Sequence, residues 1–281
     1  MRTWIQISIS VVTIALAVGT LSATEPDAKE LAAKGYSTFK AVLSGDEAKL
    51  PEAIRYLEES RAADEKNVDN LFNLGRAYFF ETITFGKQES ILKAEQAFAK
   101  VVELDPKRAD ALAFHGSILT SLSGGVDLTK FMKGAQELKA AVQQAPEDIT
   151  VKIVMAFTAR NFPPQALAAM GNYDPGRDLQ YVSKAFADLS SDFAPHADVV
   201  MKAFVAETYK LKGEDEKARS SFQAALDVEK PDDAGQRAGR DLLDKSIMAR
   251  MKGGEKPIFV DPLFSGCHSC HLSTPEKLLA R

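Results

Sequence analysis

Two neighbouring stretches, "LGRAYFF" at residues 74–80 and "AEQAFAKVVELDP" at residues 94–106, decide how this chain folds. The first stretch is rich in small residues, and the second repeats apolar residues at the spacing of a helix that buries one face. Pro106 then ends the second helix, because its ring removes a backbone donor and blocks the next turn. Together the two stretches predict a pair of closely packed helices.

The same kind of pair recurs along the chain, and a recurring unit of this size predicts an all-α repeat array. "HGSILTS" (115–121) pairs with "GAQELKAAVQQAP" (134–146), and "VAETYKL" (205–211) pairs with "ARSSFQAALDVEKP" (218–231). Single helices of the same type lie at 52–67 and, more weakly, at 182–195.

These pairs resemble the tetratricopeptide repeat, which carries Leu-Gly-x-x-Tyr on its first helix and Ala…Phe…Ala…Pro on its second. The resemblance covers roughly residues 27–232 and implies a right-handed superhelix of about five helical hairpins. It also implies a concave groove, lined by the first helices, that binds a protein or peptide partner. The matching positions include Leu74, Gly75, Tyr78, Ala94, Phe98, Val101 and Pro106, then Gly116, Leu119, Gly134, Leu138, Ala141 and Pro146, then Tyr209, Ala218, Phe222 and Ala225.

The first two pairs depart from that family, because their two helices lie about two helical turns farther apart in sequence. We interpret the extra residues either as variable tips or as lengthened hairpins at 79–93 and 120–133. The lengthened hairpins would deepen one rim of the groove, where "FFETITF" (79–85) would place apolar side chains. "NFPPQALAAMGNYDPG" (161–176) contains paired prolines and two glycines, which predicts a loop.

The groove should present polar side chains that the core pattern leaves free. These are Asn70, Asn73, Arg76 and Asp110.

The tail holds the only two cysteines of the chain, in "GCHSCH" at residues 266–271. This segment resembles the C-x-x-C-H attachment site of c-type cytochromes, which implies one covalent haem c. Cys267 and Cys270 would form the thioethers, and His271 would ligate the iron. Only ten residues follow His271. That is too little to wrap a large apolar group, so we expect the repeat array to supply the opposite wall.

Two other hypotheses for the motif stay open, a zinc site and a thiol or disulfide pair. Four ligands within five residues do not close a tetrahedron around one zinc ion, and zinc sites usually pair distant clusters. The remaining histidines, His115 and His196, are single, and we expect each to be a packed or solvent-facing helix residue. Export favours disulfides, but no βαβ pattern surrounds the cysteines to form a thioredoxin-like scaffold.

The sixth iron ligand has three candidates in the sequence, Met170, Met248 and Met251. Met170 lies in the proline-rich segment, and the other two lie shortly before the tail. Methionine is also a common core residue, so packing is the competing explanation for each of them.

The N-terminus resembles a secretory signal, because Arg2 precedes a charge-free apolar stretch that ends in small residues. A retained membrane anchor is the alternative, although polar residues dilute the stretch. We therefore predict a signal peptide at 1–23, a helical array at 24–252 and a tail at 253–281. The chain should be periplasmic or otherwise exported, without a membrane span if the signal is cleaved.

The composition narrows the function classes. The chain has 281 residues, 45% apolar and 26% charged, with a net charge of −4, which fits a globular protein and offers no basic surface for nucleic acid. No catalytic triad, phosphate loop or paired-carboxylate motif stands out. We expect electron transfer or haem-dependent sensing with a redox partner, and leave an enzymatic role open. An envelope interaction scaffold with a thiol or metal site is the alternative.

Overall fold

The structure is a computed structural model, and it contains helices, turns and bends but no strand among the residues that it describes. The all-α prediction is therefore confirmed for that part of the chain. The described residues are 27–43, 46–160, 162–171, 173–187, 197–232 and 234–254.

The described residues form twelve α-helices, with a short 3₁₀ turn at Glu47–Lys49 before the second. The helices are α1 Ala28–Leu43, α2 Leu50–Ala63, α3 Val68–Phe85, α4 Gln88–Leu104, α5 Ala109–Leu122, α6 Leu128–Gln144, α7 Ile149–Ala159, α8 Pro164–Ala169, α9 Pro175–Ala187, α10 Ala197–Leu211, α11 Asp215–Leu226 and α12 Ala234–Met251.

Local sequence sets several of these boundaries. Asn67, Asp127 and Asp148 precede α3, α6 and α7, and each side chain accepts a hydrogen bond from a backbone N–H of the first turn, at 2.9 to 3.0 Å. Such caps satisfy donors that a helix start leaves without an intrahelical partner. Pro106 and Pro146 each lie two residues beyond the last residue of α4 and α6, as the sequence predicts.

The helices stack in chain order. Helix α1 packs on α2, α3 on α4, α5 on α6 and α10 on α11, and successive pairs meet through α2–α3, α4–α5 and α9–α10. Contacts between described helices join chain neighbours or helices separated by one or two other helices. The described part of the chain is therefore a linear series of helical hairpins.

Two large apolar clusters stabilise the series, one in each half. In the first half Phe98 stacks on Phe114 at 5.0 Å, and Phe72 meets both rings edge-on. In the second half Phe157 of α7 meets Phe204 of α10 edge-on at 4.9 Å. Aromatic pairs of this geometry add about 1 kcal/mol each beyond the burial of their area.

The segment "FFETITF" differs from the sequence expectation. It forms the last two turns of α3, where Phe79, Phe80 and Ile83 are buried in the first cluster. Phe85 alone among its large apolar residues is exposed, at 47%. The expectation of an apolar rim was therefore wrong for the three buried residues, because the longer α3 has its own partners in α1 and α4.

The segment 161–176 also differs, because the predicted loop contains α8. Pro164 occupies the first turn of that helix, where proline is tolerated since its missing N–H has no helical partner there. Leu167, near the end of α8, packs against the cluster that contains Leu138 and Met155.

Candidate functional site

The residues of the predicted haem motif, Cys267, Cys270 and His271, lie outside the described residues. The predicted signal peptide at 1–23 also lies outside them, as does the tail beyond Gly254.

Met170 lies directly after α8 and is half-buried. It packs on the cluster formed by Leu138 of α6 with Met155 and Ala159 of α7. These contacts fit the packing explanation for this methionine.

Met248 and Met251 lie on α12, one helical turn apart, and differ in environment. Met251 is partly buried and packs on the cluster of the second half. Met248 is 42% exposed. Of the three predicted candidates for the sixth ligand, Met248 is therefore the one whose side chain is most accessible.

Three of the four polar residues expected in the concave groove have partners within the array, namely Asn70, Arg76 and Asp110. Asn70 is buried, and its Nδ2 donates to the carbonyl oxygen of Leu57 at 2.9 Å. The expectation that Asn70 lines the groove was wrong, since this side chain joins α3 to α2. The Asp110 carboxylate accepts hydrogen bonds from the Arg108 side chain at 3.1 Å and from a backbone N–H at 2.8 Å.

Arg76 is half-buried, and its guanidinium lies over two phenylalanine rings. The distances to the ring centres are 5.6 Å for Phe39 and 5.8 Å for Phe72. This contact stabilises the packing of α3 on α1, so Arg76 has a structural role as well as a charge.

A cavity of about 820 Å³ opens between α2, α3 and α4, on the side where the second helices of the hairpins lie. Leu71, Leu74 and Tyr78 of α3 form its apolar floor. The two walls carry charges of both signs. They are formed by Glu58, Arg61, Ala62, Ala63 and Glu65 on one side and by Lys93, Gln96, Ala97 and Lys100 on the other.

Tyr78 is the polar group of this floor. Its hydroxyl donates to Glu58 Oε1 at 2.6 Å, and the Lys93 ammonium lies 5.2 Å from its ring centre. Burial, followed by the bond to Glu58, raises the pKa of Tyr78 well above its ordinary value. Tyr78 therefore stays protonated at neutral pH and can offer hydrogen bonds, but it is no general base. The repeat pattern predicts an aromatic here without indicating the role of its hydroxyl.

His115 is a packed helix residue, as one of the two expectations for it states. Its Nδ1 lies 2.6 Å from Glu137 of α6, and its Nε2 lies 3.4 Å from Glu95 of α4. The imidazole thus links three successive helices. The described residues hold no group of three or more histidine, cysteine or acidic side chains that could bind a metal ion. His196 lies outside the described residues.

Comparison with known proteins gives no identification, because no family model and no curated protein matches this chain. Among the helices that the structure describes, none is both long enough and apolar enough to span a membrane.

Proposed function

We propose that this protein is an exported tetratricopeptide-repeat scaffold with one covalent c-type haem, and that it serves electron transfer or haem-dependent sensing in a protein assembly. The observation that carries this proposal is the C-x-x-C-H sequence in a chain whose N-terminus resembles an export signal. Export is relevant because haem attachment of this type takes place outside the bacterial cytoplasm.

The packing of the described helices supports the repeat assignment. A Cβ atom added to Gly75 would lie 2.9 Å from the ring of Phe98, and one added to Gly116 would lie 2.6 Å from the carbonyl oxygen of Gly134. All four residues are positions that match the repeat pattern, and each pair meets between the two helices of one hairpin. We infer from this a right-handed superhelix with a face for a protein partner.

The donor set in the tail fits a haem. Two thiols three residues apart match two vinyl groups, and the imidazole of His271 can ligate the iron. When bound, the haem would supply a one-electron iron couple. Met248 is our candidate for the sixth ligand, because its side chain is accessible while Met170 and Met251 pack on apolar clusters.

The test is production of the full chain in a bacterial host that carries the haem-attachment machinery. We expect a mass increase of one haem, with a colour that remains after denaturation and acid–organic extraction. A matched variant, Cys267→Ser with Cys270→Ser, should lose both while keeping its helical far-ultraviolet signal.

A colourless wild-type chain with a Cys267–Cys270 disulfide would contradict the haem proposal. That result would favour the alternative, an envelope scaffold whose cysteines form a thiol device. In a coloured protein, Met248→Ala should alter the visible spectrum, whereas Met251→Ala should leave it unchanged.

A further inference from the structure

The first helices of the hairpins run parallel, so that their C-terminal ends share one edge of the array. Each hairpin reverses the chain direction, and one close pair per couple agrees with parallel first helices for α3 with α5, α5 with α7, α7 with α10, and α10 with α12. The pairs are Asp69–Arg108 at 2.6 Å, Ser117–Thr158 at 2.8 Å, Phe157–Phe204 at 4.9 Å and Glu207–Arg250 at 3.0 Å.

This edge carries most of the large apolar side chains that the described residues expose. Of nine such side chains, two, Tyr36 and Tyr181, lie in the middle of helices. The other seven lie in the turns or in the adjoining helix ends at the shared edge, and we call them the apolar edge. They are Phe85, Leu92, Val126, Leu128, Met132, Leu211 and Met248.

The exposure of this apolar edge is high at its centre. Val126, in the turn between α5 and α6, is 90% exposed, and Leu128, at the start of α6, is 71% exposed. Scattered apolar side chains are ordinary on a protein surface, whereas a concentration along one edge marks an interaction surface.

The described chain ends at this same edge. Gly254 lies three residues beyond the end of α12, and its carbonyl oxygen accepts a hydrogen bond from Arg250, whose side chain pairs with Glu207 of α10. The start of α1 lies at the opposite edge. The carbonyl oxygen of Ala28 there accepts a hydrogen bond from Ser60, which is near the end of α2. The chain beyond residue 254 therefore starts beside the apolar edge, and the N-terminal residues do not.

We propose that the apolar edge binds the chain's own C-terminal segment, through "IFVDPLF" at residues 258–264. This stretch contains five large apolar residues within seven. From Gly254 to Cys267 an extended chain spans at most roughly 45 Å. Since packed helices lie about 8–10 Å apart, the segment can reach from α12 across the tips of α10 and α7 to the tip of α5 and α6.

The covalent link favours this occupant over a second copy of the chain. A short tether gives the segment an effective concentration in the millimolar range, far above that of a separate molecule. The inference does not depend on the haem. If the haem is attached, binding at 258–264 brings Cys267 within reach of the edge that carries Met248.

The experiment follows chymotrypsin cleavage after Phe259 and Phe264 in the full-length protein, by intact mass. Bound side chains resist the protease, and cleavage then tracks the population of the open state. The Val126→Glu/Leu128→Glu variant should be cleaved at least about tenfold faster than wild type. The control, Tyr36→Glu on α1, introduces a charge at an exposed site away from the edge and should leave the cleavage rate unchanged.

Equal cleavage rates in wild type and in Val126→Glu/Leu128→Glu would overturn the proposal. So would protection that rises with protein concentration together with an edge-dependent dimer in sedimentation, because the occupant would then be a second copy. The same intact-mass measurement shows whether the haem is attached. A haem-free chain with edge-dependent protection contradicts the proposed function and supports this inference, whereas a haem-loaded chain with an unprotected segment does the reverse.

Discussion

At the scale of single residues, two glycines let α5 and α6 pack with their backbones in contact. A Cβ atom on Gly116 would meet the carbonyl oxygen of Gly134 at 2.6 Å, and a Cβ on Gly134 would meet Thr120. Backbone atoms have little freedom to move aside. The sequence predicts this close approach, because both glycines occupy small-residue positions of the repeat pattern.

Gly116→Ala should therefore destabilise the protein by about 1–3 kcal/mol, through overpacking against the Gly134 backbone. Gln136→Ala, at an exposed position of the facing helix α6, is the matched control and should change the free energy of unfolding by less than about 0.5 kcal/mol. Urea denaturation followed by circular dichroism measures both. Equal, small effects would mean that the two helices do not touch here.

Two tyrosines, the buried Tyr78 and the partly buried Tyr173, should make the protein less stable in alkali. Tyr78 donates to Glu58 and Tyr173 donates to Asp178, at 2.6 and 2.7 Å. Burial, ahead of the neighbouring carboxylates, raises the pKa of both hydroxyls. The unfolded chain then releases these protons at a lower pH than the folded chain, so the free energy of unfolding falls as the pH rises above about 10.

Replacing Tyr78 with Phe should reduce this alkaline slope by up to about 1.4 kcal/mol per pH unit, which corresponds to one proton. Tyr173→Phe should do the same. Between pH 6 and 9 the difference from wild type should stay constant, near the roughly 1 kcal/mol of one lost hydrogen bond. Parallel curves for wild type and both variants above pH 10 would show that these hydroxyls ionise as easily in the folded state as in the unfolded one.

Other contacts between side chains cannot be predicted from the sequence pattern. The repeat pattern places His115 on a packed helix, but its partners Glu95 and Glu137 are 20 and 22 residues away along the chain. Their meeting depends on how three helices rotate about their axes. Asn70 shows the same limit, because helical spacing alone does not distinguish a polar groove residue from one that bonds to a neighbouring helix.

At the scale of helices, sequence patterns predict the long elements and miss a short one. Proline positions predict the ends of α4 and α6, which lie two residues before Pro106 and Pro146. Helix α8 was missed because six residues are too few for a periodicity, and paired prolines usually indicate a loop. The burial of Phe79 and Phe80 was missed because apolar spacing does not say how far a neighbouring helix extends.

Helix α12 is attached to the array by two buried arginines. Arg240 bonds to Asp244 and to backbone carbonyls at and just beyond the end of α11, at 2.7 to 3.3 Å. Arg250 bonds to Glu207 of α10 at 3.0 Å, and that glutamate is almost fully buried. A buried carboxylate depends on such a partner, because desolvation of a charge is expensive.

Arg250→Ala should therefore cost about 3–5 kcal/mol, mainly because it removes the guanidinium from beside the buried carboxylate of Glu207. Arg237→Ala, on an exposed part of the same helix, should cost less than about 0.5 kcal/mol. Thermal unfolding compares the two variants, and adding Glu207→Ala to Arg250→Ala should restore part of the loss. Equal melting temperatures for the two single variants would mean that the pair does not hold α12.

At the scale of the whole molecule, the sequence predicts a linear order, and the described helices have it. Repeat similarity predicts that each hairpin packs on the next, and the contacts between described helices go no farther than two intervening helices. Repeat similarity does not predict where residues 255–281 pack, because they are not part of a repeat. The haem motif therefore remains a prediction from sequence, and its position on the array is a matter for the cleavage experiment.

A linear array should respond locally to a core mutation. Leu57 lies in the apolar cluster of the first half and Leu243 in that of the second, and both are fully buried. Leu57→Ala and Leu243→Ala should each cost about 2–5 kcal/mol, through lost burial and a cavity. In a stack of nearest-neighbour contacts, that loss acts mainly on the adjacent hairpins.

Native-state hydrogen exchange measures how far each loss spreads. With Leu57→Ala, amide exchange should speed up in α1–α4 and stay close to wild type in α10–α12, and Leu243→Ala should give the opposite pattern. A compact globule would lower protection everywhere by a similar amount with either variant, because its parts unfold together. Uniform acceleration would therefore mean that contacts between the two halves couple them more strongly than a linear stack of hairpins allows.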